Sequence, residues 1–443
     1  MADTWNTTRE DAVATLTRYV QFDTSNPPGN EMAAAVWLKE QLNTRGITSA
    51  VTLYETAPGR AALIARIAGR EPLKPLVLNH HMDVVPADPA QWSHPPFGGE
   101  VAEGYVWGRG TLDTKGLGVV HLLALERLIR EGATFRRPIV FVAVPDEETG
   151  GSQGMRWLAE HHPDQLDAEW VWDEGGSGIK GLMGERPLFG VAVAEKQIQH
   201  LRLVATGSAG HGSMPHNNNA NVTLLHALGR ILRPHPMRVT RVTASMFREI
   251  AKTQRFPLSF LLRHTGNPLL LRLAGRRLAA NKMLNAMLRD TISLTMLQAG
   301  YKINVIPEQA QAGIDCRLLP DTDAAEFRRW LERTIGDERI KVEAVETSLP
   351  TVISPIASPF FDAIRQAIAR HVPDALTFPL QVPGGTDSRF FRARNIPAYG
   401  FGPFVLEMRE IDRVHGVDER ISIENLTLGV QIACDIVREL CVA

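Results

Sequence analysis

The chain is poor in cysteine, and its three, Cys316, Cys434 and Cys441, are scattered without a CxxC spacing. An odd, dispersed set excludes a disulfide framework and a thiolate zinc site, and fits a reducing cytoplasm. No run approaches the roughly 20 apolar residues that cross a bilayer. The opening MADTWNTTREDAVATL also lacks a basic region followed by an apolar one. Excess charge of one sign is missing as well: 48 Lys and Arg face 49 Asp and Glu. No chain-wide field therefore points to nucleic acid or membrane. Internal repeats and low-complexity segments are absent.

What is present is a globular composition, 44% hydrophobic and 22% charged, over 443 residues, enough for two domains. Thr7 and Glu10 read as a capping box opening a helix with Val13, Leu16 and Val20 on one face, and a second helix is expected from Met32 to about Leu42. Apolar runs of strand length follow, each closing on polar residues. They are Leu76 to Leu78 before Asn79, His80 and His81; Ile139 to Val144 before Pro145 and the acids 146–148; and Trp170 to Trp172 before Asp173 and Glu174. Continuous apolar runs suit strands buried on both faces. A helix-like stretch from Leu117 to Ile129 separates the first two runs, the order of a right-handed crossover. The fold class is α/β, a mostly parallel sheet flanked by helices. Ligands in such sheets bind beyond the carboxyl ends of the strands, where this chain places its acids and His81.

The texture changes near residue 196. Residues 196–346 are expected to form an inserted α+β domain, with 1–195 and 347–443 making up the first domain. The insert begins with alternating Leu201, Leu203 and Ala205, a Gly-rich turn at 207–212 and a helix from Asn221 to about Leu232. It ends with a strand from Ala310 to Leu318, a helix from Ala324 to Ile335 and a strand from Ile340 to Val345. Between them, Arg238 to Ala299 is rich in Arg, Leu and Met and reads as several short amphipathic helices.

The candidate chemistry lies at the strand ends. His81 and Asp83 form an H-x-D pair, in which an imidazole binds an ion while a carboxylate accepts the other ring N–H, or in which the carboxylate caps a turn. Asp113, before a helix, is either an N-cap or a ligand; the glycines around it do not have phosphate-loop spacing. Asp146, Glu147 and Glu148 either sit on a solvated turn or repel one another unless cations neutralise them, in which case adjacent carboxylates suit a ligand beside a general base. Asp173, Glu174 and the late His415 extend the set. Two histidines and several carboxylates without thiolate match a nitrogen and oxygen site for zinc, manganese or cobalt. His211 lies near Ser208 and Ser213, but no G-x-S-x-G elbow supports a serine hydrolase.

In order and spacing, nearly the whole chain resembles the M20 metallopeptidase family, which includes aminoacylase-1, glutamate carboxypeptidases and the carboxypeptidase S or PM20D1-like N-acyl amino acid hydrolases. The resemblance rests on His81-Met82-Asp83, Gly108-Arg109-Gly110 leading to Asp113, Asp146-Glu147-Glu148 with Gly150-Gly151, and Asp173-Glu174-Gly175. It continues through Gly210-His211-Gly212-Ser213, Asn304-Val305-Ile306-Pro307, Gly384-Gly385-Thr386-Asp387-Ser388-Arg389 and His415.

The resemblance implies a zinc-peptidase-like catalytic domain with two divalent metal ions, Zn2+ or else Co2+ or Mn2+. One ion would be held by His81, Asp113 and an acid of the Asp173-Glu174 pair, the other by Asp113, Glu148 and His415. Glu174 aligns with the aminoacylase-type pattern, whereas some relatives are read with Asp173. Glu147 would be the general base, taking a proton from a metal-bridging water and passing it to the leaving nitrogen, with Asp83 orienting His81. Residues 196–346 would be a lid and dimerisation domain, from which His211 reaches a neighbouring subunit's site in a homodimer. Asn304, Arg317, Gly384, Gly385 and Thr386 would grip the carboxylate of an N-acyl amino acid or short peptide. Another amide, such as an acylated diamino acid or an N-carbamoyl amine, and a non-catalytic scaffold are the alternatives.

Overall fold

Eight strands, three of them built on those apolar runs, form the main sheet in the order Val51–Ala57, Arg60–Ile67, Ile139–Val144, Leu76–His81, Trp170–Lys180, Ala398–Glu407, Leu188–Glu195 and Leu376–Val382. The computed structural model describes residues 2–181, 185–346 and 349–443. The four central strands run parallel, with His81 opposite Val144 and Asp173 opposite Gly400, while an antiparallel hairpin forms one edge. Leu76–His81 and Ile139–Val144 are buried along their whole length, as expected of strands covered on both faces. Helices Ala2–Val20, Lys115–Arg130, Pro359–His371 and Ile423–Cys441 pack on one another beside the sheet.

The described chain divides into two compact units. Residues 1–193, 353–380 and 386–443 make the first, and residues 194–352 with 381–385 make the second. The return to the first domain, expected at 347, falls on residues 347 and 348, which lie outside the described residues. The second unit is α+β. Its antiparallel sheet runs in the order Thr291–Gln298, Gln309–Leu318, Gln197–Thr206, Ile340–Ala344. Gln309–Leu318 alternates buried and half-buried residues, and its inward Ala312, Ile314 and Cys316 meet Leu224 and Leu331 of helices Ala220–Ile231 and Ala324–Ile335.

Three local expectations change. The first helix starts at Ala2, so Thr7 and Glu10 lie inside it instead of capping it; Trp5, stacked 3.7 Å under the Arg127 guanidinium, anchors the extra turn. The Arg238–Ala299 stretch holds the helices Arg241–Ala251, Leu258–Arg263, Pro268–Ala280 and Lys282–Met287, but its end is the strand Thr291–Gln298, paired with Gln309–Leu318. Trp170–Lys180 does not stop at Trp172 but carries Asp173 and Glu174 within it. Gly175, at φ +147, provides the backbone freedom at that point.

Candidate metal centre

Three parallel strands bring polar residues to one place in the first unit, two at their ends and one from within. Leu76–His81 ends on His81, Ile139–Val144 leads into the turn holding Glu147 and Glu148, and Trp170–Lys180 presents Glu174. Asp113 precedes helix Lys115–Arg130, where Thr114, not Asp113, takes the N-cap position. The oxygens of Asp113 are engaged elsewhere: Oδ1 lies 2.9 Å from His81 Nε2 and Oδ2 lies 3.0 Å from His415 Nε2. His81 Nε2 is also 3.5 Å from Glu174 Oε1, and His415 Nε2 is 3.2 Å from Glu148 Oε2.

The result is two three-residue groups, His81-Asp113-Glu174 and Asp113-Glu148-His415, each with ligand atoms within 4.8 Å of one another. They share Asp113. The donors are imidazole nitrogens and carboxylate oxygens only, and the buried Glu148 Oε1 has no hydrogen-bond partner. That donor chemistry suits zinc, manganese or cobalt, so the residues fit the implied ions.

The three acids that follow Ile139–Val144 divide their tasks. Asp146 is removed from the cluster by a 2.8 Å ion pair with Arg60, itself bound in parallel to Glu31, and by bonds from Thr149, Ser152 and the Gln153 N–H. Glu147 and Glu148 are then free to turn toward the site. Asp146 at φ 73 and His415 at φ 60 are held in the left-handed region, a strain of about 1 kcal/mol each that surrounding contacts must maintain.

Asp83 requires a correction. Its carboxylate is 3.7 Å from His81 Nδ1, and the ring nitrogen bonds instead to the Asp83 backbone carbonyl at 2.8 Å. The carboxylate accepts the backbone N–H groups of Glu147 and Glu148, both at 3.1 Å, and Asn26 Nδ2 at 2.8 Å. One residue thus orients His81 with its main chain and the acidic turn with its side chain. Asp173 lies outside both groups: its oxygens accept from Asn79 at 2.9 Å and Ser388 at 2.8 Å.

Electrostatics follow from this crowding. Burial, with Asp387 and Glu148 nearby, pushes the Glu147 carboxyl well above its usual range, and burial with Asp113 does the same to Glu174. Against the pull of burial, Glu174 and Asp113 push the His81 ring well above its usual range. Bonds to Asp113 and Glu148 raise His415 to about 10. Asp387 is fully buried with neither oxygen bonded, and burial beside Asp173 lifts it to about 8.

The remaining candidates are dispersed. His211 and Asn304 are exposed neighbours in the second unit, since the short strands Gly210–His211 and Val305–Ile306 pair and Gly212 donates to the Asn304 carbonyl at 2.9 Å. Arg317 lies at the other end of Gln309–Leu318, roughly 27 Å away for eight residues of strand. Its guanidinium grips Asp315 at 2.7 and 3.0 Å. It therefore does not stand with Asn304, because the strand separates them. Gly384 and Gly385 belong to the second unit and Thr386 to the first.

Sequence reasoning missed Glu419. Its Oε1 accepts N–H groups of Gly110, Leu112 and Asp113 at 3.1, 2.8 and 3.2 Å, and its Oε2 pairs with Arg109 at 2.7 Å. Arg109 in turn donates to the carbonyl of Gly416 at 2.8 Å. The pair therefore joins the loop of Asp113 to the loop of His415. Only its place four residues after His415 hinted at this.

A model of the family described as peptidase family M20/M25/M40 matches residues 77–439. The N-fatty-acyl-amino acid synthase/hydrolase PM20D1 of Xenopus tropicalis is 32% identical over 403 residues, 88% of this chain and 77% of that protein. Aminoacylase-1 of Sus scrofa is 30% identical over 432 residues, 95% of this chain and 93% of that protein. An M20 family metallo-carboxypeptidase from Sulfolobus solfataricus has the same fold, with a TM-score of 0.73 at 18% identity over 96% of this chain and 98% of that one. The matched span runs from the strand that ends on His81 through the helix that follows His415, and the chain belongs to peptidase family M20/M25/M40.

Proposed function

We propose that this chain is a dinuclear metallohydrolase that cleaves an amide bond next to a free carboxylate, in an N-acyl amino acid or a short peptide. The observation that carries the reading is the sharing of Asp113 between two three-donor groups. His81, Asp113 and Glu174 would hold one ion, and Asp113, Glu148 and His415 the other. Glu174 is preferred over Asp173, whose oxygens are already taken by Asn79 and Ser388. Zinc suits the donor set, with cobalt and manganese compatible. When bound, the ions polarise the scissile carbonyl and lower the pKa of water.

Glu147 is the general base: its proton affinity, raised by burial and by Asp387, suits it to take a proton from water and return it to the leaving nitrogen. Asp83 holds the backbone of that turn, and Arg389 fixes its far side through the Gly150 carbonyl at 2.9 Å.

The chain works as a homodimer in this reading. The edge strand Thr291–Gln298 exposes Leu294, Met296 and Leu297, and helix Ala220–Ile231 exposes Val222 and Leu225, an apolar surface suited to a second copy. His211 and Asn304 then serve the partner's site, His211 stabilising the oxyanion, while Gly384, Gly385 and Thr386 help to bind the substrate carboxylate. Arg317 would have to release Asp315 before its guanidinium could bind a substrate carboxylate. The resemblance to aminoacylase-1 and PM20D1 supports the N-acyl amino acid class.

The test is hydrolysis of N-acetyl amino acids, N-fatty-acyl amino acids and dipeptides before and after chelation. Cleavage that is lost on chelation, and lost when the substrate carboxylate is esterified, supports the reading. Cleavage indifferent to the carboxylate overturns the substrate class.

A further inference from the structure

The chain-wide charge balance conceals a local imbalance. Residues 250–289 contain eight Lys and Arg and no Asp or Glu. Lys252 pairs with Glu249, and Arg289 donates to the His235 carbonyl. Among the described residues, Arg255, Arg263, Arg272, Arg276, Arg277 and Lys282 meet no carboxylate. These cations share a surface with large apolar side chains: Phe256 is 81% exposed, Leu269 65% and Leu273 74%, with Phe260, Leu261 and Met283 also exposed. Helix Pro268–Ala280 has no fully buried residue: of its five leucines, Leu270, Leu271 and Leu278 are half-buried, while Leu269 and Leu273 are exposed. Leu269 and Leu273 are one turn apart on it, flanked by Arg272, Arg276 and Arg277, so apolar and cationic groups point out together.

The inner side of the helix is thus only half-covered by the rest of the unit, and its outer side, with Leu269 and Leu273, has little cover. A solvated face would not display Phe and Leu at this exposure, and an ordinary apolar contact would not be lined by cations without counter-charges. The combination is that of a segment lying at a membrane surface, with apolar side chains at the acyl boundary and Lys and Arg among anionic headgroups. Beside the same helix, a cavity of about 700 Å³ lined by Arg238, Arg272, Arg276 and Met237 has room for a phosphate headgroup. No helix is long and apolar enough to cross a membrane, so the contact would be peripheral. Pairing this face with itself about a two-fold axis would set cations against cations.

We propose that the surface from Phe256 to Met283 docks on a bilayer containing anionic phospholipid. The full chain, mixed at low ionic strength with phosphatidylcholine vesicles carrying roughly one third phosphatidylserine, is expected to co-sediment at least about tenfold more strongly than with phosphatidylcholine alone, and to be released by salt. The variant Arg272→Glu/Arg276→Glu/Arg277→Glu is expected to lose that preference, and Leu269→Ser/Leu273→Ser to weaken binding. Both change exposed side chains and leave hydrolysis of a soluble N-acetyl amino acid unaltered. Failure of the wild-type chain to sediment with the anionic vesicles, or equal sedimentation of the triple variant, overturns the proposal. A shift of Leu269→Ser/Leu273→Ser to a smaller species in analytical ultracentrifugation also overturns it, because the face would then join copies of the chain.

Discussion

Glu419 accepts the backbone N–H of Asp113 at 3.2 Å with the same oxygen that holds Gly110 and Leu112, while its second oxygen pairs with Arg109. The residue that joins the two candidate metal groups is thus positioned by a carboxylate that is a member of neither. Glu419→Ala leaves Arg109 buried without its partner and is expected to cost about 3–5 kcal/mol. Glu419→Gln retains acceptors and should recover part of that stability while metal affinity still falls about 10- to 100-fold. Thermal melts and metal titrations of both variants check this; unchanged metal affinity in each would remove Glu419 as a positioning residue.

Glu147→Gln keeps the turn, since the Asp83 bond is to the backbone of residue 147. Metal content should therefore stay near the wild-type value while kcat falls by about 10² to 10⁴. Near-normal turnover contradicts the role of base.

Mixing Glu147→Gln with His211→Ala subunits under conditions that allow exchange should restore about a quarter of wild-type activity, because half of the dimers are hybrids and each hybrid has one intact site. No recovery despite proven exchange places His211 outside the partner's site.

His121, on helix Lys115–Arg130, is fully buried against Trp172 with neither ring nitrogen bonded, and burial holds its pKa well below 6.5. The unfolded chain takes up a proton near pH 6.5 that the folded chain refuses. The contribution of the neutral ring is therefore intact above that pH and is lost, at about 1.4 kcal/mol per unit, as pH falls below it. His121→Leu should flatten the fall of melting temperature between pH 7 and 5 relative to wild type. Parallel curves contradict this.

Three of the four central strands, and the residues that form the two donor groups, were legible because both leave local signals. An apolar run closing on His81, or on Glu147 and Glu148, shows a buried strand and its polar end together. What was hidden depends on distant parts of the chain. Asp146 could not be separated from Glu147 and Glu148 without seeing Arg60, eighty-six residues away. Asp83 was read through its side chain, although its main chain makes the bond to His81. Glu419 belongs to a charged segment whose contacts lie more than three hundred positions earlier. Thr291–Gln298 follows four helices in a stretch rich in Leu and Met, so its strand pairing with Gln309–Leu318 outweighed the local helical pattern.

The shared position of Asp113 is tested most directly by metal stoichiometry of the wild-type chain, Glu174→Ala and Asp113→Ala after zinc loading and desalting. The expected result is about two ions, about one and none, with amide hydrolysis in the wild type only. One ion in the wild type, or an Asp113→Ala variant that still holds one ion as tightly, contradicts a bridged pair.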